Sequence, residues 1–136
     1  MTLPEIESKL EAIQKEQGLN YLTLKKAGLG YMLIKNIQHG KDYQIKFLFR
    51  YIDLLCHYVK VDGQVIDDLP ALGQHLRRRR MEMNITPTQM AGRMEVSYNT
   101  FKRLEKGEGC RRDTLLRYVA VLGDVDFNVD EVLNII

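Results

Sequence analysis

"NITPTQMAGRMEVSYNTFKRLEKGEG", residues 84–109, decides how the chain is read, because it carries two helix starts within a dozen residues. Thr86 is placed as an N-cap, Pro87 takes the first helical position where its missing N–H costs nothing, and Gln89 completes a capping box. Such a start contributes about 1 kcal/mol. Met90, Ala91 and Met94 then share one face. The chain turns through Glu95 and Val96 to Ser97, a second N-cap. The following helix, Ser97 to Lys106, sends Phe101 and Leu104 inward at i, i+3 spacing, and Gly107 stops it. Its opposite face holds Tyr98, Asn99, Lys102, Arg103 and Lys106.

Working outward, Pro70 opens a preceding helix whose apolar side is Leu72, Leu76 and Met83. A fourth helix, Arg112 to Leu122, buries Leu115, Val119 and Leu122, and a last helical turn or two is expected from Val129 to Ile135. The same order occurs earlier in the chain. "LPEIESKL" (residues 3–10) resembles "LPALGQHL" (residues 69–76) at a spacing of 66, and "IKNIQHGKDYQIKFLFRYIDLL" (residues 34–55) resembles "FKRLEKGEGCRRDTLLRYVAVL" (residues 101–122) at a spacing of 67. Internal self-similarity of this kind indicates duplication of a supersecondary unit. The expectation is an all-α chain of two tandem five-helix units, residues 1–68 and 69–136. "VKVDGQVIDD", residues 59–68, is expected to be a short linker, with a small hairpin closed by Asp62-Gly63 as the alternative.

Composition excludes several classes. With 136 residues, 45% of them hydrophobic, the chain suits one ordinary domain or two very small ones. Neither a basic n-region followed by an apolar segment nor an apolar run of spanning length is readable, so a cytoplasmic protein is expected. Cys56 and Cys110 have no paired spacing and are expected to be reduced thiols. His39, His57 and His75 fit no nucleophile–base or metal pattern, and each is expected to be an exposed helix or loop residue. No phosphate loop, paired carboxylates or HExxH motif occurs, so neither an enzyme nor a cofactor is expected. The net charge of +2 is unevenly spread: residues 1–68 carry 9 Lys plus Arg against 9 Asp plus Glu, whereas residues 69–117 carry 11 against 5.

Two short helices held at a steep angle present the second as a rod that fits the DNA major groove. The sequence "ITPTQMAGRMEVSYNTFKRLEKGEG" followed by "RRDTLLRYVAVLG" resembles the phage-repressor class of helix-turn-helix proteins, the XRE family, including its antitoxin branch. The resemblance covers Leu72 to about Leu133. It implies that Tyr98, Asn99 and Arg103 touch base edges and that Lys102 and Lys106 contact the DNA backbone, with Thr88, Gln89 and Ser97 completing the interface. It also implies an ion pair between Arg80 and Glu105 that locks the reading helix to its support. Bidentate Asn–adenine and Arg–guanine pairs, each discriminating by about 1–3 kcal/mol, agree with that placement.

The chain departs from the family where Pro87 replaces a phosphate-binding glutamine and Glu95 replaces the turn glycine. A left-handed backbone costs a residue with a Cβ about 1 kcal/mol, so a slightly different turn is expected there. The run Arg77 to Arg80 wraps its helix at about 100° per residue and cannot all face one groove. In the first unit Gln14 and Gln38 stand where Arg80 and Glu105 do, and Tyr31 and Met32 replace Tyr98 and Asn99. That unit is therefore expected to serve structure or dimerisation, with weak DNA contact by Lys35 and Asn36 as the alternative. The expected function is a sequence-specific transcriptional regulator, a repressor acting as a homodimer on double-stranded operator DNA. The alternative is an antitoxin that holds a toxin protein and autoregulates its operon.

Overall fold

The computed structural model describes residues 1–131. Eight helices lie among them: α1 (Leu3–Gln17), α2 (Tyr21–Lys26), α3 (Tyr31–Gln38), α4 (Ile45–Leu54), α5 (Leu69–Glu82), α6 (Pro87–Met94), α7 (Tyr98–Lys106) and α8 (Arg112–Leu122). Local chemistry sets most starts. Thr2 caps α1 and Thr86 caps α6, each through a complete capping box, while Asn20, Asp68 and Ser97 accept the N3 amide of α2, α5 and α7. Proline sits in the first turn of α1, α5 and α6, where no donor is lost.

The all-α expectation is corrected by a three-stranded antiparallel sheet in the order β2-β1-β3, built from β1 (His57–Val61), β2 (Gln64–Ile66) and β3 (Phe127–Glu131). Residues 59–68 are thus no linker: Asp62 and Gly63, both at positive φ, close a tight hairpin that pairs Val61 with Gln64. The helix expected from Val129 to Ile135 is replaced over its first residues by β3, which lies antiparallel to β1 with Val59 opposite Val129; its remainder lies outside the described residues. Among the described residues, four helices, not five, are therefore seen in each half. Alternation in "HYVKV" is too short to announce a strand by itself, and its partner lies some 70 residues away in the chain.

A single apolar cluster runs through both halves, from Leu3, Ile6 and Leu10 through Ile34, Ile37, Leu48 and Val59 to Leu76, Met90, Phe101, Leu104 and Leu115. Met83 is not part of it. It follows the C-terminal end of α5 and is 44% exposed, so of the three expected apolar residues of that helix only Leu72 and Leu76 are buried, and Val119 is half-buried. No helix among the described residues is long and apolar enough to cross a membrane.

Two of the histidines are buried, against expectation. His57 donates from Nδ1 to the Leu55 carbonyl at 2.8 Å, and His75 donates from Nε2 to Asp62 at 2.7 Å while its Nδ1 accepts from Arg78 at 3.0 Å. His39 is exposed. Asp62 is the node that holds the hairpin turn to α5. It receives His75 and Arg79 on one oxygen and the Asp126 amide at 2.9 Å on the other. Burial works against its charge, but those donors win and hold its carboxyl below the ordinary carboxylate range. Arg79 also reaches Asp124, and Arg78 donates to Gln64 at 2.9 Å. Two members of the four-arginine run therefore tie α5 to the sheet, Arg80 turns inward, and Arg77 stays exposed.

Asp62→Asn separates the charge from the backbone, since asparagine tolerates the left-handed φ of 51° at this turn. The variant is expected to lose about 1–2 kcal/mol of unfolding free energy at neutral pH. Because the folded pKa is depressed, the deficit is full above the unfolded carboxylate pKa of about 3.9 and closes as pH falls through the lower folded value. Urea denaturation of both proteins from pH 7 to 3 checks the size and the direction.

Candidate nucleic-acid interface

The pair α6–α7 is built on its turn. Glu95 sits in the left-handed region (φ 59°, ψ 41°), so the turn keeps that geometry without the glycine and the expected difference is absent. The amides of Glu95 and Val96 close back onto the carbonyls of Gly92 and Ala91 at 3.1 and 3.2 Å, a Schellman arrangement that satisfies the end of α6. Arg117 of α8 supports it, donating to the Met94 carbonyl at 3.0 Å and standing 3.9 Å from the Glu95 carboxylate. A cation at the carbonyl end of a helix is favourable, which offsets part of the backbone cost.

The inner side of α7 is held against α5 at close range. A Cβ on Gly73 would fall 2.4 Å from the Glu105 carbonyl oxygen, and one on Gly107 would fall 2.3 Å from the Pro70 Cα. Only glycine permits either approach, and Gly107 also takes the left-handed cap at φ 72°. Between the helices lies the Arg80–Glu105 pair. Arg80 Nε donates to Glu105 Oε2 at 2.7 Å, Nη2 to Oε1 at 3.2 Å, and Nη1 to the Ile85 carbonyl at 2.7 Å. Tyr118 of α8 donates to the same Glu105 and stands 3.1 Å from the Leu76 carbonyl. The bonds to Glu105 raise the guanidinium pKa further, and burial pushes the Tyr118 hydroxyl far above its ordinary value. Phe101 stacks on Tyr118 at 6.2 Å between ring centroids, with the Arg80 guanidinium 5.6 Å from the Phe101 ring.

The outer side carries the sequence-predicted residues. Thr88, Gln89, Ser97, Tyr98, Asn99, Lys102, Arg103 and Lys106 are all exposed. Lys102, Arg103 and Lys106 form no ion pair among the described residues. Two of the eight have their oxygens engaged locally: Ser97 Oγ accepts the Thr100 amide at 3.1 Å, and Gln89 Oε1 accepts the Thr86 amide at 3.0 Å. Gln89 therefore has its amide NH2 left to offer. Sequence reasoning passed over Arg111, which lines a hollow with Arg103, Thr100 and Gln44 and donates to Asp42 at 2.5 Å. Its signal was the "CRRD" run directly after the reading helix.

The corresponding face of the first half differs in chemistry. Leu22, Tyr31 and Met32 are 62%, 53% and 70% exposed, where Tyr98 and Asn99 define the second face. Lys35 is not free: its Nζ lies 5.6 Å from the rings of both Tyr21 and Tyr31 and 3.8 Å from Glu11, and Asn36 is half-buried. Behind that face, Gln38 Nε2 donates to Gln14 Oε1 at 3.2 Å and to the Tyr51 hydroxyl at 2.8 Å, and the Tyr51 hydroxyl donates to Gln14 Oε1. Gln14 Nε2 donates to the Leu19 carbonyl at 3.2 Å. The Gln38 carbonyl oxygen is buried without a partner.

No group of three or more His, Cys, Asp or Glu side chains among the described residues could hold a metal ion. Cys110 is half-buried, and burial pushes its thiol up to about 12; Cys56 is exposed. Residues 71–126 match the family model of a helix-turn-helix domain. No curated protein and no solved structure matches the chain.

Arg80→Ala leaves Glu105 facing the interior with only Tyr118 as donor, and is expected to cost about 3–5 kcal/mol of stability. The double variant Arg80→Gln/Glu105→Gln, which copies the amide pair of the first half, is expected to lose clearly less than the single one. Chemical denaturation midpoints of the three proteins decide between a charged bridge that is indispensable and one that a neutral hydrogen-bonded pair can replace.

Proposed function

We propose, from the match of residues 71–126 to a helix-turn-helix family model, that the chain is a sequence-specific DNA-binding regulator of transcription, a repressor that inserts α7 into the major groove. The observation that carries this reading is the division of α7 into two sides. Its inner side is fixed to α5 and α8, while Tyr98, Asn99, Lys102, Arg103 and Lys106 stand exposed with no carboxylate to neutralise the three cations. In this reading Asn99 pairs with adenine, Arg103 with guanine, and Tyr98 packs on an adjacent base edge. Lys102 and Lys106 meet phosphates, as do Thr88 and the Gln89 amide at the N-terminal end of α6, where the helix dipole favours an anion. Ser97 spends its hydroxyl on the cap and contributes by orienting the start of α7.

Residues 1–68 and 69–136 are read as two copies of one unit, the second of which holds the base readers. The rival reading, an antitoxin that neutralises a toxin protein, draws on exposed Leu22, Tyr31 and Met32 as a contact surface for a protein partner.

Arg103→Ala is expected to relax preference at one base pair by about 1–3 kcal/mol, whereas Lys106→Ala weakens binding to all sequences alike and lowers the salt slope by about one. Both variants keep the wild-type helical content. Selection of duplexes from a random pool, followed by titration of the selected site and its single-base variants, makes the test. An Arg103→Ala loss that is equal on every sequence removes base reading from that residue.

A further inference from the structure

The halves are joined at several places, and the join that follows α3 and α7 is reciprocal at the internal spacing. Gln44 forms an antiparallel bridge with Arg111, and these two positions correspond at the internal spacing of 67. The bridge is closed by Ile45 N–H to the Cys110 carbonyl at 2.9 Å and by Arg112 N–H to the Tyr43 carbonyl at 2.8 Å. Tyr43 corresponds to Cys110 and Ile45 to Arg112, so each bond is the image of the other. The strands that follow the last helix of each half, β1 and β3, pair antiparallel about Val59 and Val129. β2, preceding α5, bonds to β1 within the first half, and Met1, preceding α1, accepts the Phe127 amide of β3 at 2.7 Å across the halves.

An interface in which i touches j′ and j touches i′ is isologous, the signature of a two-fold operator. We infer that the chain folds on itself as a two-fold dimer of helix-turn-helix units, and that α2–α3 of the first half meets a second half-site of the same DNA duplex, so that one chain occupies an operator ordinarily filled by two. This rests on the DNA-binding reading of α7. The intrachain partner takes the place that the expected homodimer was to fill.

The direction of the axis names the occupant. The bridge follows α3 and α7, and the sheet follows α4 and α8, so the axis runs from the sheet to the gap beyond the C-terminal ends of the two reading helices. A two-fold operation preserves direction along its own axis. Whatever surface α7 turns toward a duplex, α3 turns toward it as well, one half-site away. Local charge agrees: Lys41 and Lys46, both exposed, replace Glu108 and Asp113 of the second half beside the bridge, and Lys25 and Lys26 are exposed on α2. The base readers, however, are gone. Tyr31 and Met32 offer apolar contact of the kind that meets a thymine methyl, and Asn99 and Arg103 have no exposed polar equivalent. The operator is therefore two-part and unequal, with one strongly specified half-site and one weakly specified, T-biased half-site whose centre lies about 34 Å away.

The test uses the full chain and a duplex selected by it from a random pool. Sedimentation of the complex should give one chain per duplex, and hydroxyl-radical footprinting should give two protected patches about one helical turn apart, only one of them with a sharp consensus. Lys41→Ala/Lys46→Ala, both at exposed positions, should keep the wild-type melting temperature, erase the second patch, and reduce the salt slope by about two. Met32→Asp should lower affinity about tenfold, with the Arg103-dependent base preference intact. Two chains on a symmetric duplex, or a single patch indifferent to all three substitutions, overturns the inference while leaving α7 as a reader; the latter outcome returns the α3 face to a protein partner. Failure to select any duplex sinks the DNA-binding reading itself.

Discussion

The orientation of α7 depends on the bridge between Arg80 and Glu105. α7 has nine residues, too few to be stable or well oriented alone, because an isolated helix of that length is marginal in water. Its position is fixed instead by one guanidinium that binds the carboxylate of α7 and the carbonyl that opens the α6 segment, and by the hydroxyl of Tyr118 arriving from α8. Four elements thus share one polar centre. The close approach at Gly73 adds a steric stop. A charge pair held so far from water contributes orientation more securely than net stability, since desolvation consumes much of the Coulombic gain.

The first half solves the same problem with uncharged groups. Gln14, Gln38 and Tyr51 stand in corresponding places, and Gln14 bonds the Leu19 carbonyl as Arg80 bonds that of Ile85. Neutral amides avoid the ionic desolvation cost but have fewer convergent donors. Among the described residues the Gln38 oxygen is left buried and unpaired, and the helix it supports presents Tyr31 and Met32 outward. Meanwhile Glu7, in the place of Gly73, bonds Arg112 and Tyr43, with Arg112 donating at 2.8 Å. A position that seats a reading helix in one half has become a tie between halves in the other.

The helix-turn-helix was legible in the sequence because its determinants are local: the Thr86–Pro87–Gln89 start, the Ser97 cap and the Gly107 stop all act within a few residues. The outward face of α7 followed from helical period alone. The sheet was not legible, since β1 and β3 owe their pairing to each other across the whole chain, and neither five-residue strand has a strong pattern of its own. The buried histidines were missed for the same reason. His75 is satisfied by Asp62, which reaches it only once the hairpin has folded against α5. At Glu95 the preference for glycine was a weak guide, because Arg117 and the Schellman bonds stabilise a turn that the backbone alone disfavours.

Unequal halves have a consequence that equal ones do not. A symmetric dimer binds its operator equally well in either of two orientations, so the DNA cannot assign a direction to it. In the proposed reading, a chain whose two faces differ, one cationic and polar around Asn99 and Arg103, the other apolar around Tyr31 and Met32, takes a single preferred orientation on a duplex. Under that proposal, two readers in one chain also remove the concentration dependence of dimerisation, because the second contact is intramolecular. On that proposal occupancy varies with protein concentration to the first power, and the outer face of the first half is free to differ while the β1–β3 register holds the two halves together.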